Sequence, residues 1–317
     1  MRGPPTVAGM APEELRARLR DPGVAIDLGA CAARFRTGYP GFAPAMRALY
    51  GAFPIEADES FADATVSLEV QRTVVGSRLA RLIVDGESPF DPMPLSMHPA
   101  LVEWGLNWTI AYRSHAWLML HAGVVGRGDR ALLMPAYSGV GKSTLTAALM
   151  CHGYRLISDE FCAIDPHDGT VMPLLRPVCL KNDSIDRVIE RWPGLSTGPR
   201  IAGTRKGTVL HVAPNAMSVA ARKRPARPEF VVFPRYGAAE APALEPIAST
   251  RAFVKLSGNS FNYALLGETG FLALTNLVAQ CRSYQLRYSR FEDAFDLIDA
   301  LFAETEVAAP PIEPARR

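Results

Sequence analysis

Apolar positions along this chain alternate in some stretches and recur every three to four residues in others, so strands and helices are expected to interleave. Near the start, residues 12–19 read as a short helix with Pro12 at its first position. Residues 24–28 and 31–36 read as strands, and 42–50 as a helix turning Met46, Leu49 and Tyr50 inward. Two further strands are predicted at 64–70 and 79–84. Residues 1–10 show no periodicity and are expected to be disordered, and the Pro-rich stretch 88–94 reads as a linker. Residues 1–94 thus form a small α/β module. It carries no legible chemistry, so recognition or assembly falls to it by elimination.

After residue 94 the pattern changes scale. Residues 99–112 form a helix with Leu101, Trp104, Trp108 and Ala111 on one face. Strands 117–125 and 131–135, joined by the turn 126–129, make a hairpin. A helix over 143–150, closed by His152 and Gly153, leads to a strand over 154–158. A second hairpin pairs 161–164 with 170–172, and 178–181 is a strand followed by a helix from Asp183 or Ser184 to Arg191. Residues 194–206 read as a long polar loop and a lid candidate, and 209–212 as a strand. Residues 222–228 read as a basic loop, and the fully apolar run 230–234 as a central strand. Helices at 249–256 and 270–281 and a strand at 284–288 precede a last amphipathic helix. In it Phe291, Phe295, Ile298, Leu301 and Phe302 share a face. The large domain is expected over 95–306, with a disordered tail at 307–317; no internal repeat is visible.

Composition narrows the classes. The chain has 317 residues, 48% hydrophobic and 21% charged, enough for one large domain or two moderate ones. A formal net charge of +2 argues against general affinity for nucleic acid or an anionic membrane. The longest apolar region, 101–125, is interrupted by Glu103, Asn107, Arg113 and His115, which excludes a membrane span there. The five cysteines have no metal-ligand spacing and read as buried thiols. With no signal-peptide pattern at the N-terminus, a cytoplasmic protein is expected.

The chemistry concentrates at residues 131–145. An apolar strand runs into a loop holding Ser138, Gly139, Val140 and Gly141, and Lys142, Ser143 and Thr144 open a helix. This is the GxxxxGK[ST] pattern of a phosphate-binding loop, with Ala136 in place of the first glycine. Loop N–H groups and the helix N-terminus cradle phosphate oxygens in such a loop, the Lys reaches the β/γ-phosphates and the Ser hydroxyl holds Mg2+. Ala tolerates positive φ poorly, so the loop entry must take an allowed conformation or bear strain. Asp159 and Glu160 follow only seventeen positions after Lys142, at the end of the next strand. If that strand lies beside the phosphate-loop strand, one carboxylate can serve the metal and the other a general base. Lys181, Arg205, Lys206 and the basic loop are candidate grips for phosphate or an acidic peptide.

Three runs together resemble a family. They are 121–125 (His-Ala-Gly-Val-Val), 138–143 (Ser-Gly-Val-Gly-Lys-Ser) and 152–160 (His-Gly-Tyr-Arg-Leu-Ile-Ser-Asp-Glu). In order and spacing they are similar to the kinase domain of HPr kinase/phosphorylase. They look most like the HPr-kinase-related serine kinases of peptide-modification systems, the HprK-related kinase A type. There a Trp-containing helix, here around Trp104 and Trp108, precedes the strand that carries the His.

The resemblance implies an α/β fold: a P-loop kinase domain of the HPr kinase type, with a mixed central sheet flanked by helices, beside the smaller N-terminal module. It implies ATP and Mg2+, a serine acceptor on a peptide or small protein, and an assembly of identical chains. Asp159 would match the catalytic base, Glu160 the second acidic position where Asp is usual, and His121 the His near the transferred phosphate. The family's phosphorolysis signature is not recognisable, so kinase activity without efficient phosphorylase activity is expected. Two other readings remain open on the residues alone: a kinase of a small hydroxyl metabolite, and a nucleotide-binding regulatory protein without phosphotransfer.

Overall fold

The computed structural model describes residues 5–136, 139–237 and 241–308, with 305–308 as backbone alone. The chain opens with α1 (Pro12–Arg20), whose acidic Glu13 and Glu14 and terminal Arg18 and Arg20 suit the helix dipole. It continues through β1 (Val24–Asp27), β2 (Ala32–Thr37), α2 (Phe42–Tyr50), β3 (Ala64–Arg72), β4 (Arg78–Val84) and β5 (Met93–Pro94). The five strands form one sheet in sequence order. Only β2 and β3 run parallel.

Two expectations fail here. Residues 5–10 are ordered, because Val7 and Ile55 exchange backbone hydrogen bonds with Phe53 and Pro5 and bury Val7 and Met10. The 88–94 stretch is not a free linker: Met93 and Pro94 pair with Ala80 and Leu79 as an edge strand, a position where Pro is tolerated.

The next helix, α3 (His98–Arg113), lies on β3 and β4. Its Leu101, Val102 and Leu106 share a core with Phe35, Val66 and Leu82, and also with Ala147, Leu156 and Leu175 further on. The chain then runs β6 (Leu118–Arg127), β7 (Arg130–Pro135), α4 (Lys142–His152), β8 (Arg155–Ser158), β9 (Phe161–Ile164), β10 (Val171–Met172) and β11 (Val178–Lys181). After α5 (Asp183–Arg191) come β12 (Ile201–Thr204), β13 (Gly207–Val212), α6 (Ala216–Ala220), β14 (Arg227–Tyr236) and β15 (Ala243–Pro246). Two helices, α7 (Ser249–Ser257) and α8 (Tyr263–Gln280), precede β16 (Arg282–Tyr288) and α9 (Phe291–Ala308).

The large sheet is mixed, in the order β10-β9-β6-β7-β14-β16-β15, with β8 also on β6. The apolar β14 lies parallel between β7 and β16, buried on both sides as its sequence predicts. A smaller antiparallel sheet joins β11, β13 and β12.

The expected neighbour of the phosphate-loop strand needs correction. β8 pairs with β6 and not with β7, whose two edges are taken by β6 and β14. β8 and β9 both run antiparallel to the long β6, with a register shift at Val124–Val125 and a break between them at Asp159–Glu160. The carboxylates thus sit at a bend in an otherwise continuous strand, the kind of irregularity that re-aims side chains beside sites.

The lid candidate is also corrected. β12 lies within residues 194–206, and Ser196 and Gly198 are tied to Ala213 and His211 by backbone bonds of 2.9 Å. Among the described residues no helix is long and apolar enough to cross a membrane.

Candidate functional site

β7 ends at Pro135, where the chain leaves the sheet, and α4 begins at Lys142. Ser138 lies outside the described residues. Ala136 is buried and does not have positive φ, so replacing the first glycine leaves no left-handed strain; among the described residues only Asp85 and Asn182 are non-glycines with positive φ. Gly139 and Gly141 do take left-handed values, φ 97° and 92°, which turns the chain sharply into the helix. Val140 is exposed, Ser143 and Thr144 are half-buried, and all of residues 139–144 line one cavity of about 1210 Å³.

Lys142 turns from the loop toward the acidic pair. Its side chain is 5% exposed, and Nζ stands 3.7 Å from both Asp159 Oδ1 and Glu160 Oε2 while donating to the Asp159 carbonyl. Asp159 is buried beneath it. Oδ2 accepts the Cys179 N–H at 3.3 Å, and Oδ1 has no hydrogen-bond partner. Glu160 is more open and lines the large cavity, which Asp159 does not. Its Oε1 is 3.5 Å from His121 Nε2. Burial pushes the Glu160 carboxyl up, but the His121 hydrogen bond and the charges of Lys142, His121 and Lys181 outweigh it and hold the group well below the usual carboxylate range.

His121 is placed by β6. Its N–H donates to Asn259 O at 2.7 Å beyond the end of β7, and its ring meets Phe261 edge-on at 5.7 Å. Of the expected catalytic residues Asp159, His121 and Lys142, the fold puts His121 and Lys142 on one cavity wall together with Glu160, and leaves Asp159 off it.

Lys181 and Lys206 line the same cavity, at the end of β11 and in the β12–β13 turn. Next to Lys181, Asn182 holds φ 51° through mutual hydrogen bonds with Thr208. Arg205 is exposed and lies off the cavity wall. The basic loop faces elsewhere: Arg222 pairs with Glu56 at 3.4 Å and Lys223 with Asp27 at 2.6 Å, both on the N-terminal sheet's side.

Behind Asp159 lies a second, smaller space of about 20 Å³, lined by Glu103, Asn107, Ser158, Arg176 and His211 among others. That volume admits one water. Arg176 is buried there, 3.7 Å from Glu103 Oε2 and bonded to Asn107, while Tyr50 donates to Glu103 Oε1 at 2.6 Å. Burial, then the Arg176 and Lys181 charges, lower His211 to about 4, which keeps it neutral. The sequence reading missed this network. Its signal was present in the polar interruptions of an apolar helix, Glu103 and Asn107, which were weighed only against a membrane span.

Among the described residues no group of three or more His, Cys, Asp and Glu is placed to hold a metal alone. Mg2+ commonly uses one or two carboxylates, substrate phosphates and water, and Ser143 with the acidic pair is a hard-oxygen set of that kind.

No protein-family model matches the chain, and no curated protein sequence matches it. Among solved structures it is similar to the HPr(Ser) kinase/phosphatase from Coxiella burnetii, with a TM-score of 0.30 and 12% identity over 60% of this chain and 97% of that one. The fold is a mixed α/β arrangement of two mixed sheets and one antiparallel sheet among the described residues.

Proposed function

We propose that the chain is an ATP-dependent kinase that transfers the γ-phosphoryl group to a serine hydroxyl of a peptide or small protein. The observation that carries this reading is the meeting of Lys142 and the 139–144 loop with Glu160 and His121 on one cavity, with Asp159 directly under the Lys142 ammonium. A cavity of about 1210 Å³ exceeds the ~300–1,000 Å³ of ordinary small-molecule sites and has room for a nucleotide and part of an acceptor. Serine on a peptide, rather than a free metabolite, rests on the three sequence runs that resemble HPr-kinase-related kinases.

In this reading the loop N–H groups and Lys142 hold the phosphates. Ser143, Asp159 and Glu160 would hold Mg2+, which would supply charge neutralisation for the transferred phosphoryl group. The serine oxygen forms a bond to Pγ, the bond from Pγ to the bridging oxygen breaks, ADP leaves, and the serine proton passes to Asp159. Lys142 masks Asp159 Oδ1 at 3.7 Å, so the carboxylate becomes an effective base only as Lys142 turns to phosphate. Glu160 and His121 line the approach of the hydroxyl.

The test is incubation with radiolabelled ATP and candidate peptides, with the labelled residue read by mass spectrometry. Asp159→Asn is expected to lower transfer at least about 100-fold while ATP affinity changes little. Transfer by Asp159→Asn at the wild-type rate, with loss in Glu160→Gln instead, would move the base to Glu160.

A further inference from the structure

The cavity has two chemically different ends. At the β6 end stand His121, Glu160 and Lys181, and at the other the strand termini of β14 and β16 bring up Tyr236, Tyr288 and Phe291. We infer that Tyr236, backed by Tyr288, is the platform on which the aromatic base of the nucleotide stacks. The inference rests on the kinase reading and adds the polarity of the bound nucleotide: phosphates toward Glu160, base toward β16.

Topology supports that polarity. β7, β14 and β16 are parallel, so Pro135, Tyr236 and Tyr288 all end on one edge of the sheet, where open α/β sheets bind their ligands. From β8 to β16 the order β8-β6-β7-β14-β16 makes four inter-strand steps. At ~4.8 Å each they span roughly 19 Å, and the phosphate loop leaves the middle strand, β7, two steps from β16.

One tyrosine is core and the other is surface. Tyr288 is 2% exposed and packed with Phe230 and Phe295, whereas Tyr236, its register partner on β14, is 42% exposed. The two rings meet edge-on at 5.6 Å and 68°, so the buried ring braces the open one. Both reach the phosphate loop, since a Cβ built on Gly141 would stand 3.6 Å from Tyr288 Oη and 3.7 Å from Tyr236 Cβ. The Tyr236 face takes a flat partner already: the Arg187 guanidinium lies 5.0 Å from its centroid. A purine can occupy that position, because stacking uses the same π face and is tolerant of which base it meets.

The probes are Mg2+-ATP and Mg2+-tripolyphosphate, which share the phosphate chain and differ in the base. Their affinities for the full chain and for Tyr236→Ala, Tyr236→Trp and Tyr236→Phe are read by titration calorimetry. Tyr236→Ala should weaken ATP about 5- to 100-fold and leave tripolyphosphate within about twofold, and Trp or Phe should retain ATP binding. Equal weakening of both ligands in Tyr236→Ala, or no weakening of ATP, overturns the base platform. If wild type binds tripolyphosphate as tightly as ATP, the base contributes nothing and the platform fails while the phosphate loop stands. If wild type binds neither, the kinase reading fails and the platform with it.

Discussion

At the residue scale the site is a matter of which charge neutralises which. Lys142 is nearly inaccessible and is held by two carboxylates, so the 139–144 loop keeps its cation pre-positioned beside the groups that, on the proposed reading, would meet a metal. One layer deeper, Arg176 does the same for Glu103. Burial pushes the Glu103 carboxyl up, against the pull of Arg176 and the Tyr50 hydrogen bond. Removing one member of such a pair leaves a buried charge without its partner. Arg176→Met is therefore expected to lower unfolding free energy by roughly 3–5 kcal/mol. Adding Glu103→Gln should recover part of that loss. Urea unfolding followed by far-UV circular dichroism measures both, and a loss under about 1 kcal/mol would mean that water already screens the pair. The sequence showed Lys142, Asp159 and Glu160 because loop chemistry and spacing mark them, and His121 through the resemblance alone. It hid Arg176 and His211, since a single Arg or His within a strand-rich run looks the same whether buried or solvated.

At the scale of elements, periodicity was informative about what each segment is and nearly silent about what lies beside it. The long helices and the double-sided apolar run of β14 were legible, except that α8 was read only from residue 270 and its start at Tyr263, before the break at Gly267, was missed. The neighbour of β8 was not, because strand order depends on contacts between distant segments and not on local pattern. The short polar β12 and β15 and the five-residue α6 also escaped, each being too brief to show a period.

The last helix illustrates how elements are fastened near the site. Asp299 on α9 accepts from Tyr154 Oη at 2.5 Å, faces His152 Nε2 at 2.9 Å and pairs with Arg127 at 2.6 Å. It thereby ties α9 to β6, to the end of α4 and to the start of β8. Burial raises the Asp299 carboxyl, but the Tyr154 and His152 hydrogen bonds and the Arg127 charge prevail and lower it from 3.8. A carboxyl lowered on folding contributes stability above its unfolded value, and that contribution is lost as pH falls through the folded one. Melting temperature should hence drop more steeply below about pH 4 in wild type than in Asp299→Asn. At pH 7 the variant should be less stable by about 1 kcal/mol, since a group with 35% of its side chain exposed is partly screened by solvent. Parallel pH profiles in the two proteins would remove Asp299 from the clamp.

At the scale of the whole molecule, the N-terminal sheet and the cavity-bearing sheet are joined by backbone as well as side chains. Ala30 N donates to Pro173 O at 2.7 Å, Leu175 N donates to Leu28 O at 2.8 Å, and Gly29 bridges to Leu174. These contacts lead directly to Arg176, and through it to the space behind Asp159. Gly29 is where the two parts come closest. Its φ is +108°, and a Cβ there would fall 2.1 Å from Pro173 O and 2.7 Å from Arg222 O, both backbone atoms that cannot rotate away. Gly29→Ala must therefore strain the residue or push the two sheets apart, at a cost of roughly 2–5 kcal/mol. The single core that runs from Phe35 and Leu82 through Leu106 to Leu156 and Leu175 predicts one cooperative unfolding transition in wild type. In Gly29→Ala, calorimetry should show that transition at lower temperature, and limited proteolysis should open cleavage near 173–176 before the rest of the chain. On the proposed kinase reading, phosphoryl transfer should fall further than ATP affinity, because Arg176 sits behind Asp159 whereas the 139–144 loop follows β7. A Gly29→Ala protein with wild-type melting and transfer would show that the close approach at Gly29 has no bearing on the site.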